Sequence, residues 1–406
     1  MALALELQAR GHHPVLATSN VYQTKIEAAG LEFATLRPDI PDPRTKPDEA
    51  DPMIRRLMDR EKGTEHLFKE VIMPSLRDSY EDLTRVVQGA DLLVTHVLPM
   101  SGPLVAQKTG VKWASGVLAP LSFFSIYDPS LPPIETPMTG MRKLPPRLLK
   151  PIVEIGKKSV LSWVKEVFTL RRQLGLPKGG HPLFEGQHSP SLVLAMFSPV
   201  LGAPQPDWPP HAIAKGYCFY DKKDETPTSG RLREFLSKGE APIVFTLGSS
   251  AVFDAGDFFA HSMRAAQNLK RRALLLVGRE TALPANLSAD ILALDYAPFS
   301  EVFPRAAAVV HQGGAGTTGQ VLRAGVPALT MPYAHDQPDH ADRLERLGVA
   351  RTLRRSDYNT ESATRELRAL LTQSEYARHA KLIGEKVRAE HGTRDACDAL
   401  EAMLRA

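Results

Sequence analysis

The chain has 406 residues, with 50 Lys and Arg against 46 Asp and Glu and a net charge of +4, which is too slight to argue for a nucleic-acid partner. Hydrophobic residues make up 43% and charged residues 24%, so disorder is excluded and there is material for two or three domains at roughly 100–200 residues each. Cys218 and Cys397 lie far apart, which excludes a disulfide-stapled mini-fold and a cysteine zinc site; with no run near ~18 apolar residues and no signal-like start, the reading is a soluble cytoplasmic protein.

Elements alternate in type along the chain, the pattern of βαβ units. Residues 1–10 predict a helix ended by Gly11, followed by a strand at Val15–Ala17, a short helix ending at Ala29-Gly30, and a strand from Leu31. A longer helix is expected over about 64–88, then a strand at Asp91–Thr95, a helix over 101–109 and a strand at Val111–Ser115. Prolines over 120–150 resist assignment. Prolines and then charges cluster over 204–228, as in a linker between domains. Beyond it the alternation restarts: strands at 243–247, 273–277, 291–294, 307–311 and 327–331, helices at 257–269 and 316–324, and closing helices at about 375–390 and 393–405. The expected organisation is therefore a first domain over 1–208, a linker over 209–228, a second domain over 229–385, and a last helix, 386–406, packing back on the first domain. Two doubly wound α/β domains facing across a cleft are the economical architecture. Such a domain ordinarily opens with a strand, whereas this chain opens in a helix.

The strongest chemical signal is AAVVHQGGAGTTG, 307–319. An apolar strand runs into glycines, and the next residues open a helix. Glycines let backbone N–H groups approach an anion, and a helix N-terminus adds partial positive charge. Thr317 and Thr318 add hydroxyls, and His311 stands at the carboxyl end of the strand. The plainer reading is a tight turn with capping threonines. Gly314-Ala315-Gly316-Thr317-Thr318-Gly319 also fits the dinucleotide fingerprint GxGxxG, with Asp336 further on. That alternative, an NAD-dependent oxidoreductase, suffers from the motif following a late strand rather than the first. Thr246-Leu247-Gly248-Ser249-Ser250 is a second, weaker turn of small residues able to admit a phosphate or ribose.

The segment HQGGAGTTGQVLRAGVPALTMPYAHDQPDHADRLERLGVA, 311–350, resembles the donor signature of the UDP-glycosyltransferase family, its bacterial sterol- and antibiotic-type members above all. LELQARGHHPVLATS, KIEAAGLEF, TLGSS and EHGTRDACDALEAML have counterparts there too, while 120–200 resembles it little. The resemblance implies the GT-B fold and transfer of a hexose, with inversion, from a UDP- or dTDP-sugar to a hydroxyl of a small, apolar or lipid-like acceptor. It implies that His311 contacts the diphosphate, that Gly314, Thr317 and Thr318 cradle its oxygens, and that Ser249 approaches phosphate or ribose. Asp336 and Gln337 match the family's Asp-Gln pair for the sugar hydroxyls, and Ala297, between Tyr296 and Pro298, matches the segment that receives the base. Where the family commonly has Asn, three residues after that Gln, this chain has His340. No Asp-x-Asp pair clamps a metal, so no metal or other cofactor is expected, and protein dipoles would stabilise the leaving diphosphate.

The family's first strand, its glycine-rich loop and the base that loop carries have no counterpart, so the reading expects the first strand to be missing. His96, at the end of strand 91–95, is then the candidate catalytic base, with a satisfied strand-end histidine as the plainer reading. A non-enzymatic alternative is a nucleotide-sugar binder left inactive by that loss. Residues 141–172 carry Arg142, Lys143, Arg147, Lys150, Lys157, Lys158, Lys165, Arg171 and Arg172 against Glu154 and Glu166, with apolar residues interleaved; this is a peripheral membrane contact or an ordinary solvated face. Ala119–Ser125 offers Phe123 and Phe124 to an acceptor pocket or to the core.

Overall fold

The computed structural model describes residues 1–131, 138–221, 230–278 and 287–405. They form two compact units. The first comprises Met1–Ala50, Lys62–Phe219 and Glu390–Ala406, the second Asp51–Glu61 and Tyr220–Ala389.

The first unit holds two parallel sheets. Strands β1 (Val15–Thr18) and β2 (Glu32–Thr35) pair only with each other. Strands β3 (Leu92–His96), β4 (Lys112–Val117), β5 (Val193–Ala195) and β6 (Ala212–Ala214) form the other, in that order. Among the described residues, β1 and β3 each keep one ladder edge unpaired. The expected helix over 64–88 is instead broken: Gly63–His66 passes into a π-turn, Leu67–Ile72, and a regular helix resumes at Leu76–Val86. Pro74 explains the break, because it lacks an N–H and crowds the preceding turn; Met73 N–H reaches back to Phe68 O at 2.9 Å, one residue further than an α-turn.

Glu390–Ala406 belongs to this unit. The helix Gly392–Arg405 lays Ala396 and Leu400 among Leu3, Leu7, Ala114 and Leu194. Its entry needs glycine, since a Cβ on Gly392 would fall 2.5 Å from the backbone of Gly216. Arg10 Nη1 then bonds Asp398 at 2.6 Å.

In the second unit β7 (Ile243–Thr246), β8 (Ala273–Leu276), β9 (Ile291–Leu294), β10 (Ala308–His311), β11 (Ala328–Thr330) and β12 (Ala350–Thr352) build one parallel sheet. Its order is β9-β8-β7-β10-β11-β12. Every residue of β7, β8, β10 and β11 is buried, as expected of strands covered by helices on both faces. Phe245, Phe259, Tyr333 and Leu367 anchor the core on one side.

Two expected boundaries need correcting. Residues 209–221 are not free linker, because Ala212–Ala214 pairs with Val193–Ala195; the alternation was hidden by a strand of three residues among prolines. Residues 222–228 of that linker lie outside the described residues, as do 132–137 of the proline-rich stretch. Residues 51–61, assigned to the first domain from sequence, belong to the second unit, where Met58 packs against the core.

Candidate functional site

The strand order of the second unit reverses between β7, its first strand, and β10, its fourth. Such a reversal opens a crevice at the carboxyl ends of the two strands, where α/β sheets take ligands. The Thr246–Ser250 turn leaves one strand and the His311–Gly314 turn leaves the other. Gly248 and Gly314 approach from the two sides, and a Cβ on either would strike Gln312 Nε2, at 2.3 and 2.8 Å respectively. Gly248 is also left-handed, with φ +70, so the sequence needs glycine there on both counts. Thr246 Oγ1 accepts from Gly248 N–H at 3.2 Å and fixes the turn.

The helix Ala315–Ala324 begins at this crevice with Gly314 as N-cap and no side chain bonded to its first-turn N–H groups. The helix Thr360–Thr372 differs: Asn359 Oδ1 accepts from the N–H groups of Glu361 and Ser362, both at 3.0 Å. A capped terminus has spent its donors, and an uncapped one keeps them for an anion.

His311 is fully buried. Its Nδ1 accepts from Gly313 N–H at 3.0 Å, so the proton of the neutral ring sits on Nε2. That Nε2–H finds no partner. Burial, and secondarily His340, pushes the imidazole down to about 3, so it is a neutral donor at ordinary pH. Thr318 Oγ1 and Gln312 Oε1 are likewise buried and unpartnered. Buried polar atoms ordinarily find partners; at an uncapped helix start the Nε2–H of His311 and the hydroxyl of Thr318 are donors that match a ligand with acceptor oxygens, whereas Gln312 Oε1 can only accept, as from a ligand hydroxyl. Thr317 is buried on the same turn.

Asp336 is the N-cap residue of the helix Gln337–Arg346, yet its side chain makes no capping bond. Gln337 Oε1 accepts from Tyr333 N–H at 2.8 Å. His340 Nδ1 donates to Gly313 O at 2.8 Å, which leaves the neutral ring a lone pair on Nε2, buried and unpartnered. His340 is thus tied to the same glycine turn as His311. His335, just before Asp336, has φ +59, a costly backbone conformation for a residue other than glycine.

Of the residues named from sequence, His311, Gly314, Thr317, Thr318, Asp336 and Gln337 are drawn to the turns around β10 and β11. Ser249 is exposed on the turn after β7, and Ala297 is buried in the turn after β9, beside the exposed Tyr296. His96 ends β3 in the first unit, with Nδ1 accepting from Leu98 N–H at 3.3 Å. Phe123 is core rather than pocket lining: it stacks on Trp208 with centroids 4.0 Å apart and on His188 at 5.4 Å. Sequence reasoning passed over Gln312; its place between a strand-end histidine and two glycines was the available signal.

Comparison with known proteins identifies the family and the fold. Residues 273–403 match the model of the erythromycin biosynthesis protein CIII-like C-terminal domain. O-mycaminosyltylonolide 6-deoxyallosyltransferase of Streptomyces fradiae is 32% identical over 99% of this chain and 93% of its own length. The chain belongs to the UDP-glycosyltransferase family. A sterol 3-beta-glucosyltransferase of Leptosphaeria maculans is 25% identical, with only 27% of its length covered. Among solved structures, the kitacinnamycin glycosyltransferase superposes with a TM-score of 0.68 at 20% identity, covering 99% of this chain and 94% of that one. The spinosyn rhamnosyltransferase complexed with thymidine diphosphate gives 0.64 at 19% identity, covering 98% and 95%. The fold is GT-B, and the protein is a glycosyltransferase. No described helix is long and apolar enough to cross a membrane.

Proposed function

We propose that the second unit binds a UDP- or dTDP-sugar and that the enzyme transfers its hexose, with inversion, to a hydroxyl of a small apolar acceptor. The observation that carries this reading is the buried, unpartnered Nε2–H of His311 beside the uncapped start of helix Ala315–Ala324. Negative charge builds on the departing nucleoside diphosphate as the glycosidic bond breaks. His311, the first-turn N–H groups and the hydroxyls of Thr317 and Thr318 are donors fixed in advance, able to stabilise that charge without a metal. Ser249 lies across the crevice to meet phosphate or ribose, and the Tyr296-Ala297 turn receives the base. Asp336 and Gln337 hold the sugar hydroxyls.

His96 is the candidate base for the acceptor proton. With Nδ1 accepting from Leu98, a neutral ring carries its proton on Nε2, so acting as base requires that long bond to open. The neighbouring family members support the donor class: the spinosyn rhamnosyltransferase structure holds thymidine diphosphate, and a second neighbour is in complex with dTDP.

Thermal unfolding with UDP, dTDP, NAD or no ligand tests the reading. A ligand at about 100 times its Kd adds about 2.7 kcal/mol. Stabilisation by UDP or dTDP and not by NAD is expected; stabilisation by NAD alone overturns it. Replacing His96 by Ala should lower transfer by about 10²–10⁴-fold and leave nucleotide binding intact; unchanged transfer removes it as base.

A further inference from the structure

We propose that the helix Pro146–Ser159 of the first unit is a docking surface for an anionic lipid bilayer, an inference that stands apart from the donor reading. The helix rests on its unit through Leu149, which is 1% exposed. Leu148, Ile152 and Ile155 are instead 49%, 37% and 68% exposed. Their spacing of four and then three residues places them in one stripe along the helix. Leu161, 44% exposed, follows just beyond its end. A single exposed Leu or Ile is ordinary on a protein surface, but an aligned row is not.

Charge identifies the occupant. Residues 141–172 hold nine basic side chains against two acidic ones, in a chain whose net charge is only +4. The positive excess of the molecule is therefore concentrated on this segment. On the helical wheel Arg147 and Lys158 fall beside the apolar stripe, and both are exposed, as is Lys150 further round. Lys157 is held by both Glu154, at 3.0 Å, and Glu185, so the cations of this segment that face solvent are Lys143, Arg147, Lys150, Lys158, Lys165 and Arg172. Apolar side chains flanked by lysine and arginine on a solvent-facing helix match the interface of a bilayer, where the stripe enters the acyl boundary and the cations meet lipid phosphates.

Co-sedimentation with phosphatidylglycerol–phosphatidylcholine vesicles, and with phosphatidylcholine vesicles alone, tests the proposal. The full chain should bind the mixed vesicles, bind phosphatidylcholine far more weakly, and lose binding as salt is raised. The triple variant Leu148→Ser, Ile152→Ser, Ile155→Ser should lose most of the binding. The variant Arg147→Glu, Lys158→Glu should lose it by at least about twentyfold, at about fivefold per cation. Both sets lie on exposed positions, so an unchanged thermal midpoint shows that the variants remain folded. Failure of the parent to bind mixed vesicles, or undiminished binding by both variants, overturns the proposal. So does self-association in sedimentation velocity that the serine variant abolishes, which would assign the stripe to a second copy of the chain.

Discussion

The two units share a parallel α/β plan and differ in how their sheets are closed. In the second, six strands run without interruption and the central ones are wholly buried. In the first, the strands divide into a pair and a set of four, and Val15 and Val94 on the flanking strands β1 and β3 are 39% and 37% exposed. A fixed crevice needs strand ends that do not move, and the donor-type turns hang from the uninterrupted sheet. The first unit places its candidate base, His96, on a strand with an open edge. The contrast predicts rigid positioning of the nucleotide sugar and greater local freedom around the acceptor side.

Core truncation is the most direct way to break this comparison. Phe245→Ala, in the buried β7, should cost about 3–5 kcal/mol, whereas Val94→Ala in β3 should cost within about 0.5 kcal/mol. The tryptophans Trp113, Trp163 and Trp208 all lie in the first unit. Their fluorescence therefore follows that unit, while far-ultraviolet circular dichroism follows both. Equal costs for the two variants would erase the distinction.

Acid sharpens it. Burial holds His311 down to about 3 in the second unit and His188 down to about 4 in the first. Unfolded histidine binds its proton near 6.5, so between these values the unfolded chain holds more protons than the folded one. Stability is therefore fully present above about 6.5 and is lost as pH falls toward the folded values. His311→Gln should make the second unit less acid-sensitive, and His188→Gln the first. Melts at pH 7 and pH 5 check this, and a variant whose loss between the two matches the parent's would show that its histidine is not responsible.

Much of the second unit was legible because its strands are unbroken apolar runs ended by glycine: TLGSS and VVHQGG locate both sides of the crevice. The resemblance over 311–350 then named most of the candidate donor residues. What stayed hidden has physical reasons. Strands β5, β6 and β12 have three residues each, too few to show a period. The π-turn at Leu67–Ile72 keeps an apolar pattern that reads as α-helix. Gln312 matters through two glycines, one of them more than sixty positions away, and no local pattern announces such a contact. The helix Gln337–Arg346 escaped assignment because its buried face includes Asp339 and Arg343, paired at 2.7 Å and nearly inaccessible. Charges at those positions look like a solvated surface until the pairing is seen.

Within the second unit the finer comparison is between its two kinds of helix start. His311→Ala should weaken UDP or dTDP binding about ten- to a hundredfold, the worth of a hydrogen bond to a charged group. Unchanged affinity would remove the histidine from the site. Asp336→Asn should weaken the intact sugar donor more than the free nucleotide, and calorimetric titration of both separates a sugar contact from a phosphate one.

A smaller effect is expected at the capped terminus. Asn359→Ala removes the acceptor of two first-turn N–H groups and should cost about 1 kcal/mol of stability. It should leave nucleotide affinity untouched, because those donors serve only their own helix. The start of helix Ala315–Ala324 should behave in the opposite way: its N–H groups are uncapped, so phosphate-bearing ligands should stabilise it and protect its first-turn amides from hydrogen exchange. Protection by UDP or dTDP at Ala315–Thr318, with none at Glu361 and Ser362, would separate a binding terminus from a structural one. Equal protection at both would mean that the nucleotide tightens the whole unit rather than occupying one helix start.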